Sequence, residues 1–242
     1  MQHSKRTETG VMAHWKNIPG KLTKISAGSR SNVWGVNSAG AIYRFTNDDA
    51  NPWVKVPGGL TDISAAADGT VWGVNANSQI YRYTGDQGSS HWKNISGGLT
   101  GISAGSRSNV WGVNSAGAIY RFTNDDANPW VKVPGGLTDI SAAADGTVWG
   151  VNANSQIYRY TGDQDSSHWK NIPGGLTRIS VGSRSNVWGV NANGGIYRFT
   201  NDDASPWVNI PGGLTEISAA EDGTVWGVNA DGAIYRYTGD QP

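Results

Sequence analysis

Residues 33–45 read Val33-Trp34-Gly35-Val36-Asn37-Ser38-Ala39-Gly40-Ala41-Ile42-Tyr43-Arg44-Phe45, and this stretch decides the fold. Two short runs rich in β-branched and aromatic residues flank a turn that contains glycine, which is the pattern of two antiparallel strands. A left-handed Gly40 would close a bulged hairpin and pair Asn37 with Ala41. In that register Trp34 stands opposite Arg44 on one face of the sheet. Tyr43 lies over Gly35 on the other face, with Phe45 nearby. Units two and four carry Ser78 and Ser155 where this unit has Gly40.

Working outward, Leu22-Thr23-Lys24-Ile25-Ser26-Ala27 alternates apolar and polar residues and reads as a preceding strand. Trp53-Val54-Lys55-Val56 reads as a following one. Four strands in this length leave no room for a helix. The unit then recurs: its leading tryptophan falls at Trp15, Trp53, Trp92, Trp130, Trp169 and Trp207, always 38 or 39 residues apart. Four-stranded units at a period near 40 are the mark of propeller blades. The expected fold is all-β, a six-bladed β-propeller.

The ends of the array agree with a ring. It opens on a lone strand around Trp15 and finishes on Ala233-Ile234-Tyr235-Arg236-Tyr237, a third strand with no fourth after it. The first strand completing the last blade would remove an exposed sheet edge. A linear β-solenoid is the alternative, but it would need atypical capping repeats, and none are seen. Odd units carry Gly-Ser-Arg-Ser-Asn before Val-Trp, whereas even units carry Ala-Asp-Gly-Thr or Glu-Asp-Gly-Thr. Residues 26–87 and 103–164 are identical, so a two-blade unit was duplicated.

Composition narrows the function. Of 242 residues, 19 are Lys or Arg and 19 are Asp or Glu, so no basic face is expected, which argues against nucleic acid or anionic lipid as the main partner. The 34 Gly and 12 Trp suit a turn-rich β protein, and no cysteine is present for disulfides. No run of 18 apolar residues exists, so no membrane-inserted helix is expected. Residues 1–13 fall outside the repeats and are expected to form a flexible tail, with 14–242 as one propeller. This stretch lacks the apolar core of a secretory signal, so a cytoplasmic protein is expected.

The positions that agree between odd and even units give the candidate site. Each has a tryptophan, an arginine and an aromatic residue: Trp34, Arg44 and Phe45; Trp72, Arg82 and Tyr83; Trp111, Arg121 and Phe122; Trp149, Arg159 and Tyr160; Trp188, Arg198 and Phe199; Trp226, Arg236 and Tyr237. Trp34 beside Arg44 is a cation–π pair worth about 0.5–2 kcal/mol. One reading makes the arginine a packing residue at the blade junction. The other makes it a donor fork aimed into a cleft between blades, with tryptophan as an apolar wall and the Phe45 or Tyr83 position closing the cleft from the adjacent blade. A pyranose suits such a cleft, because it offers an apolar C–H face and a rim of hydroxyls. Tyr43 and Asn37 are the reserve choice if the clefts open at the hairpin end.

Other constellations are weaker. His14, His91 and His168 sit on alternate blades, too far apart to share a metal, so no metal site is expected. The pairs Asp48-Asp49, Asp125-Asp126 and Asp202-Asp203 read as loop caps rather than Ca²⁺ ligands. No Gly-rich phosphate loop precedes a helix, no cofactor is expected, and no catalytic trio departs from the repeats. The axis is expected to carry small Ala, Ser and Gly, which argues against a propeller hydrolase.

The string Trp-x-x-Ile/Val-Pro-Gly-Gly-Leu-Thr, followed by Ile-Ser, Val-Trp-Gly-Val-Asn and Ile-Tyr-Arg, resembles the tectonin repeat of fungal defence lectins. The resemblance covers residues 14–242, with Ser96 and Lys21 as departures in the turn. It implies a propeller that binds O-methylated glycans of bacterial and nematode surfaces at several sites between blades, and a possible homo-oligomer of rings. The expected function is therefore a multivalent, non-enzymatic, sugar-binding lectin. The alternative is a protein-interaction scaffold that uses one propeller face.

Overall fold

The computed structural model describes residues 14–86, 90–163 and 167–239; the expected tail, 1–13, lies outside them. Among these residues there are six four-stranded antiparallel sheets and no helix. Blade 1 shows the plan, with strands Lys24–Ser29, Asn32–Val36, Ile42–Phe45 and Trp53–Val56 running from the axis outward. Blades 2 to 5 repeat it over 62–95, 101–133, 139–172 and 178–210. Blade 6 consists of Glu216–Ala219, Val225–Val228 and Ala233–Tyr237, and Trp15–Lys21 is its outer strand. The first strand thus closes the ring, Trp15 opposite Tyr237 and Ile18 opposite Ile234.

The expected register is the one observed. Trp34 faces Arg44 and Gly35 faces Tyr43, while the Asn37 N–H donates to the Ala41 carbonyl at 3.0 Å. Gly40 takes φ +78°, and Ser78 and Ser155 hold φ +62° in the same turn. Small residues are dictated where sheets approach each other. A Cβ on Gly35 would lie 2.4 Å from a Leu22 methyl, so the centre of Val-Trp-Gly-Val has to be bare.

Two kinds of contact hold one blade to the next. Near the axis a buried serine in each Ile-Ser pair accepts the backbone N–H of the following blade. Ser26 accepts from Ala65, Ser64 from Ala104, Ser103 from Ala142, Ser141 from Val181, Ser180 from Ala219 and Ser218 from Ala27, at 2.8–2.9 Å. These bonds run once around the ring without a gap. Further out, Val, Ile and Leu side chains from neighbouring blades merge into shared buried clusters, for example Val36, Ile42 and Val56 with Leu60, Ile63 and Val71. Each blade's two sheet faces are therefore covered by its neighbours, and the edges face the axis and the circumference.

Candidate functional site: the junctions between blades

The tryptophans of Val-Trp-Gly-Val-Asn are core residues. Trp34 and Trp111 keep 2 % of their surface and Trp72 none, so no open indole face remains there. Each packs edge-on against two aromatics of the next blade, one from the third strand and one from the outer strand. Trp34 meets Tyr83 and Trp92 at centroid distances of 4.9 and 6.2 Å; Trp72 meets Phe122 and Trp130 at 4.9 and 6.0 Å. The same trio recurs as Trp111 with Tyr160, Trp149 with Phe199, Trp188 with Tyr237 and Trp226 with Phe45. The aromatic residue of each candidate set thus comes from the adjacent blade, at every junction.

The arginine lies over the indole of its own blade, with the guanidinium carbon 5.3–5.5 Å from the ring centroid in all six copies. Its fork is engaged. Arg82 donates two bonds to Asp126 at 2.9 and 2.8 Å; Arg159 does the same to Asp203, and Arg236 to Asp49. Lys93, Lys170 and Lys16 reach the same three carboxylates. These arginine and lysine bonds hold Asp49, Asp126 and Asp203 down to a pKa of about 2. In the other register Arg44 bonds Asp86 and Arg121 bonds Asp163 at 3.0 Å, and Tyr83 and Tyr160 donate to the same carboxylates. The fork reaches an acid of the neighbouring blade, a partner that sequence reading did not supply.

The acidic loops therefore do two jobs. Asp48 caps its own loop by accepting the Ala50 N–H at 2.9 Å, as expected, while its neighbour Asp49 crosses to Arg236. The histidines stay local: His14 bonds the Gly239 carbonyl and His91 that of Gly85. No group of three His, Cys, Asp or Glu side chains is placed to hold a metal among the described residues.

An open space exists at the other end of the seam. Between blades 3 and 4 lies a crevice of about 330 Å³ lined by Gly135, Gly136 and Leu137 of the linking turn and by Asn152, Tyr158, Ser167 and Trp169 of blade 4. This is where the copies of Tyr43 and Asn37 fall. The Trp169 indole N–H donates to the Pro134 carbonyl at 2.8 Å, and a Cβ on Gly135, at φ +125°, would meet that nitrogen at 3.0 Å. The Pro-Gly-Gly turn is thus the floor on which the outer tryptophan is stapled. The staple recurs at all six junctions, with Trp15, Trp53, Trp92, Trp130 and Trp207 on their own turns. Lys21 stands at the Gly136 position of the junction between blades 6 and 1.

The axis differs from expectation. Its cavity of about 240 Å³ is lined by Ile, Ser, Ala and Gly along its length, but one mouth is charged. The first residue of each inner strand is Lys24, Asp62, Gly101, Asp139, Arg178 or Glu216, so five of the six blades place a charge there. Glu216 pairs with Lys24 at 2.6 Å and with Arg178 at 3.0 Å. Asp62 and Asp139 accept the Ile102 and Ile179 N–H groups of the following blades at 3.0 Å. Burial pushes Asp62 upward and raises Asp139 to about 6, against the pull of Lys24 and Arg178 respectively. The sequence signal was available: a position that changes charge from copy to copy inside otherwise conserved strands.

The fold defines a class, the closed propeller built from near-identical blades. The chain matches the Tectonin domain over residues 2–129, 46–206 and 122–242, and it belongs to the tectonin family. No match is found among curated proteins. Among solved structures it is similar to the RRP9 WD40 repeats, at 8 % identity, a TM-score of 0.68 and coverage of 94 % of this chain and 98 % of that one. It is also similar to U3-55K, at 10 % identity and a TM-score of 0.66 over 94 % and 81 % of the two chains. A third similar structure, YCF48 bound to a D1 peptide, has 16 % identity and a TM-score of 0.59 over 93 % and 94 %. At such identities the likeness concerns the fold alone.

Proposed function

We propose that this tectonin is a multivalent lectin that binds glycans, O-methylated ones in particular, in the crevices between its blades, and that it serves defence against bacteria or nematodes. The observation that carries the reading is the crevice at Tyr158, Trp169 and Asn152, a concave site in the lower size range of small-molecule pockets. A half-exposed indole offers a platform for the apolar face of a sugar. The tyrosine hydroxyl, the asparagine amide and the exposed turn backbone supply polar partners for its rim. The Trp–Arg–aromatic sets lie behind this platform: Trp111 and Tyr160 pack on Trp169 and fix its angle. A methyl group on a ligand hydroxyl adds roughly 0.8 kcal/mol if fully buried. Each site alone is then weak, and several engaging one glycan-coated surface raise avidity by about 10²–10⁴.

A glycan array that carries matched methylated and unmethylated sugars tests this reading. Retention of the methylated members is expected, and Trp169→Ala with its copies should lower it. Binding to no sugar overturns the proposal. Unchanged binding after alanine replaces the arginine in every blade would assign the arginines to structure alone. The charged axial mouth favours a second reading, a scaffold for a partner, because it is asymmetric in a ring of similar blades. Array silence combined with a partner lost on Asp62→Ala and Glu216→Ala would support it.

A further inference from the structure

We propose that the crevices are of two chemical kinds, set by the residue two places before the crevice tyrosine. This rests on the glycan reading and sharpens it. In blades 2 and 4 that residue is Gln79 or Gln156; in the other four it is alanine or glycine. The Tyr158 hydroxyl donates to Gln156 Oε1 at 3.4 Å, and the same oxygen accepts from the Asn152 amide at 2.8 Å. Blade 2 repeats both bonds at 3.4 and 2.9 Å. With its proton committed to glutamine, the phenol has only lone pairs left for a ligand.

Without the glutamine the polarity reverses. In blade 5 the Asn191 amide donates to the Tyr197 hydroxyl at 3.5 Å, which uses a lone pair and leaves the phenolic proton outward. The corresponding tyrosines of blades 1, 3 and 6 have no acceptor among the described residues, so their protons are also available. A ligand hydroxyl can donate or accept, but a methyl ether oxygen can only accept. The two glutamine crevices therefore select a free hydroxyl at the position that meets the tyrosine. The four without glutamine take the methylated oxygen.

Gln79 and Gln156 are exposed, and alanine already stands there in three sister blades, so Gln79→Ala/Gln156→Ala preserves the fold. Titration calorimetry with one methyl glycoside, in free and further O-methylated forms, reads the effect. For the O-methylated sugar, the double variant should raise the number of sites from the four crevices without glutamine towards all six, with affinity at the converted pair rising about fivefold. For the unmethylated sugar the same pair should keep its affinity, since a free hydroxyl can meet the tyrosine as donor or as acceptor. Ala118→Gln should convert the crevice between blades 2 and 3 the opposite way. If wild type binds either sugar and the variants titrate identically to it, the two-kind assignment is wrong and the glycan reading stands. If wild type binds neither, the glycan reading falls and this inference with it.

Discussion

The three junctions that run from an odd blade to the next even blade share their aromatic seam, the stapled outer tryptophan and the serine relay with the three that run from even to odd, yet they differ in the other polar contacts around the seam. At odd-to-even junctions the Trp34 indole N–H reaches the Asn32 side chain at 2.8 Å, and the Asn32 amide continues to the Ala66 carbonyl at 2.7 Å. At even-to-odd junctions threonine stands in place of that asparagine, and the buried N–H groups of Trp72, Trp149 and Trp226 have no partner among the described residues. The compensation lies elsewhere. Asp68 accepts the Arg107 backbone N–H at 2.8 Å, and the Arg82–Asp126–Lys93 clamp replaces the single Arg44–Asp86 contact. Ring closure requires every blade to present nearly the same apolar shape, so packing residues stay fixed or change only between similar shapes, as Phe45 and Tyr83 do. Polar contacts at the periphery carry no such demand, and they have come to differ between the two halves of the duplicated pair.

The sharpest way to break this comparison is to remove the seam. Trp111→Ala and Trp149→Ala should each cost about 3–5 kcal/mol in denaturant unfolding. Trp111→Ala should cost about 1 kcal/mol more, because it takes the indole donor from the half-buried Asn109 side chain. Equal losses would show that the asparagine relay contributes nothing.

Acidification acts at the three even-to-odd junctions together. Asp49, Asp126 and Asp203 have lowered pKa values, so their contribution is complete above the ordinary carboxylate pKa of about 4 and is lost as the pH falls through about 2. Asp139 has the opposite sign. With its folded pKa raised to about 6, its proton-linked stability is complete below about 4 and disappears as the pH rises through 6. Melting temperature should therefore rise slightly from pH 7 to 5 and drop between pH 4 and 2. Asp139→Asn should reduce the rise, to which the raised Asp62 also contributes, and leave the drop.

Single clamps come next. Asp126→Ala should destabilise more than Asp163→Ala, by about 1 kcal/mol, since it frees a bidentate arginine and a lysine rather than one arginine nitrogen and a tyrosine hydroxyl. High salt should narrow that gap. The smallest change expected is a gain: Thr70→Asn supplies the missing acceptor to Trp72 and should add about 1 kcal/mol, or about 2–4 °C in calorimetry. No gain would mean that the neighbouring glycine backbone at 104–106 leaves no room for the asparagine relay.

The sequence carried the strands, their register and the closure, because each depends on residues within one unit or on a pattern repeated six times. Trp34 opposite Arg44 followed from counting around one turn. The acid that holds Arg44 did not: Asp86 is 42 residues further on, and in the closing junction Arg236 meets Asp49 from the far end of the chain. Such pairs exist only once the ring has set the stagger between blades. Packing between blades is the plain reading of so many tryptophans, but how completely each is buried does not follow from the sequence, for a related reason. A central residue in a four-stranded sheet faces water or a neighbour according to how closely blades pack, and Gly28, where a Cβ would lie 2.2 Å from the Ala66 backbone of the next blade, and the stapled Gly135 fix that distance. The charged mouth is invisible to a reading of constant positions, because its residues are those that vary from blade to blade.

The strand Trp15–Lys21 is among the first parts of the propeller to be synthesised, and its partner Ala233–Tyr237 is among the last. At ordinary translation speeds the two are separated by tens of seconds. Throughout that interval five blades can assemble in order while blade 1 keeps a bare flank and the opening strand stays single. A neighbouring nascent chain carries the same strand and could fill the same vacancy, so dense polysomes would favour exchange of this segment between copies and yield interlocked rings.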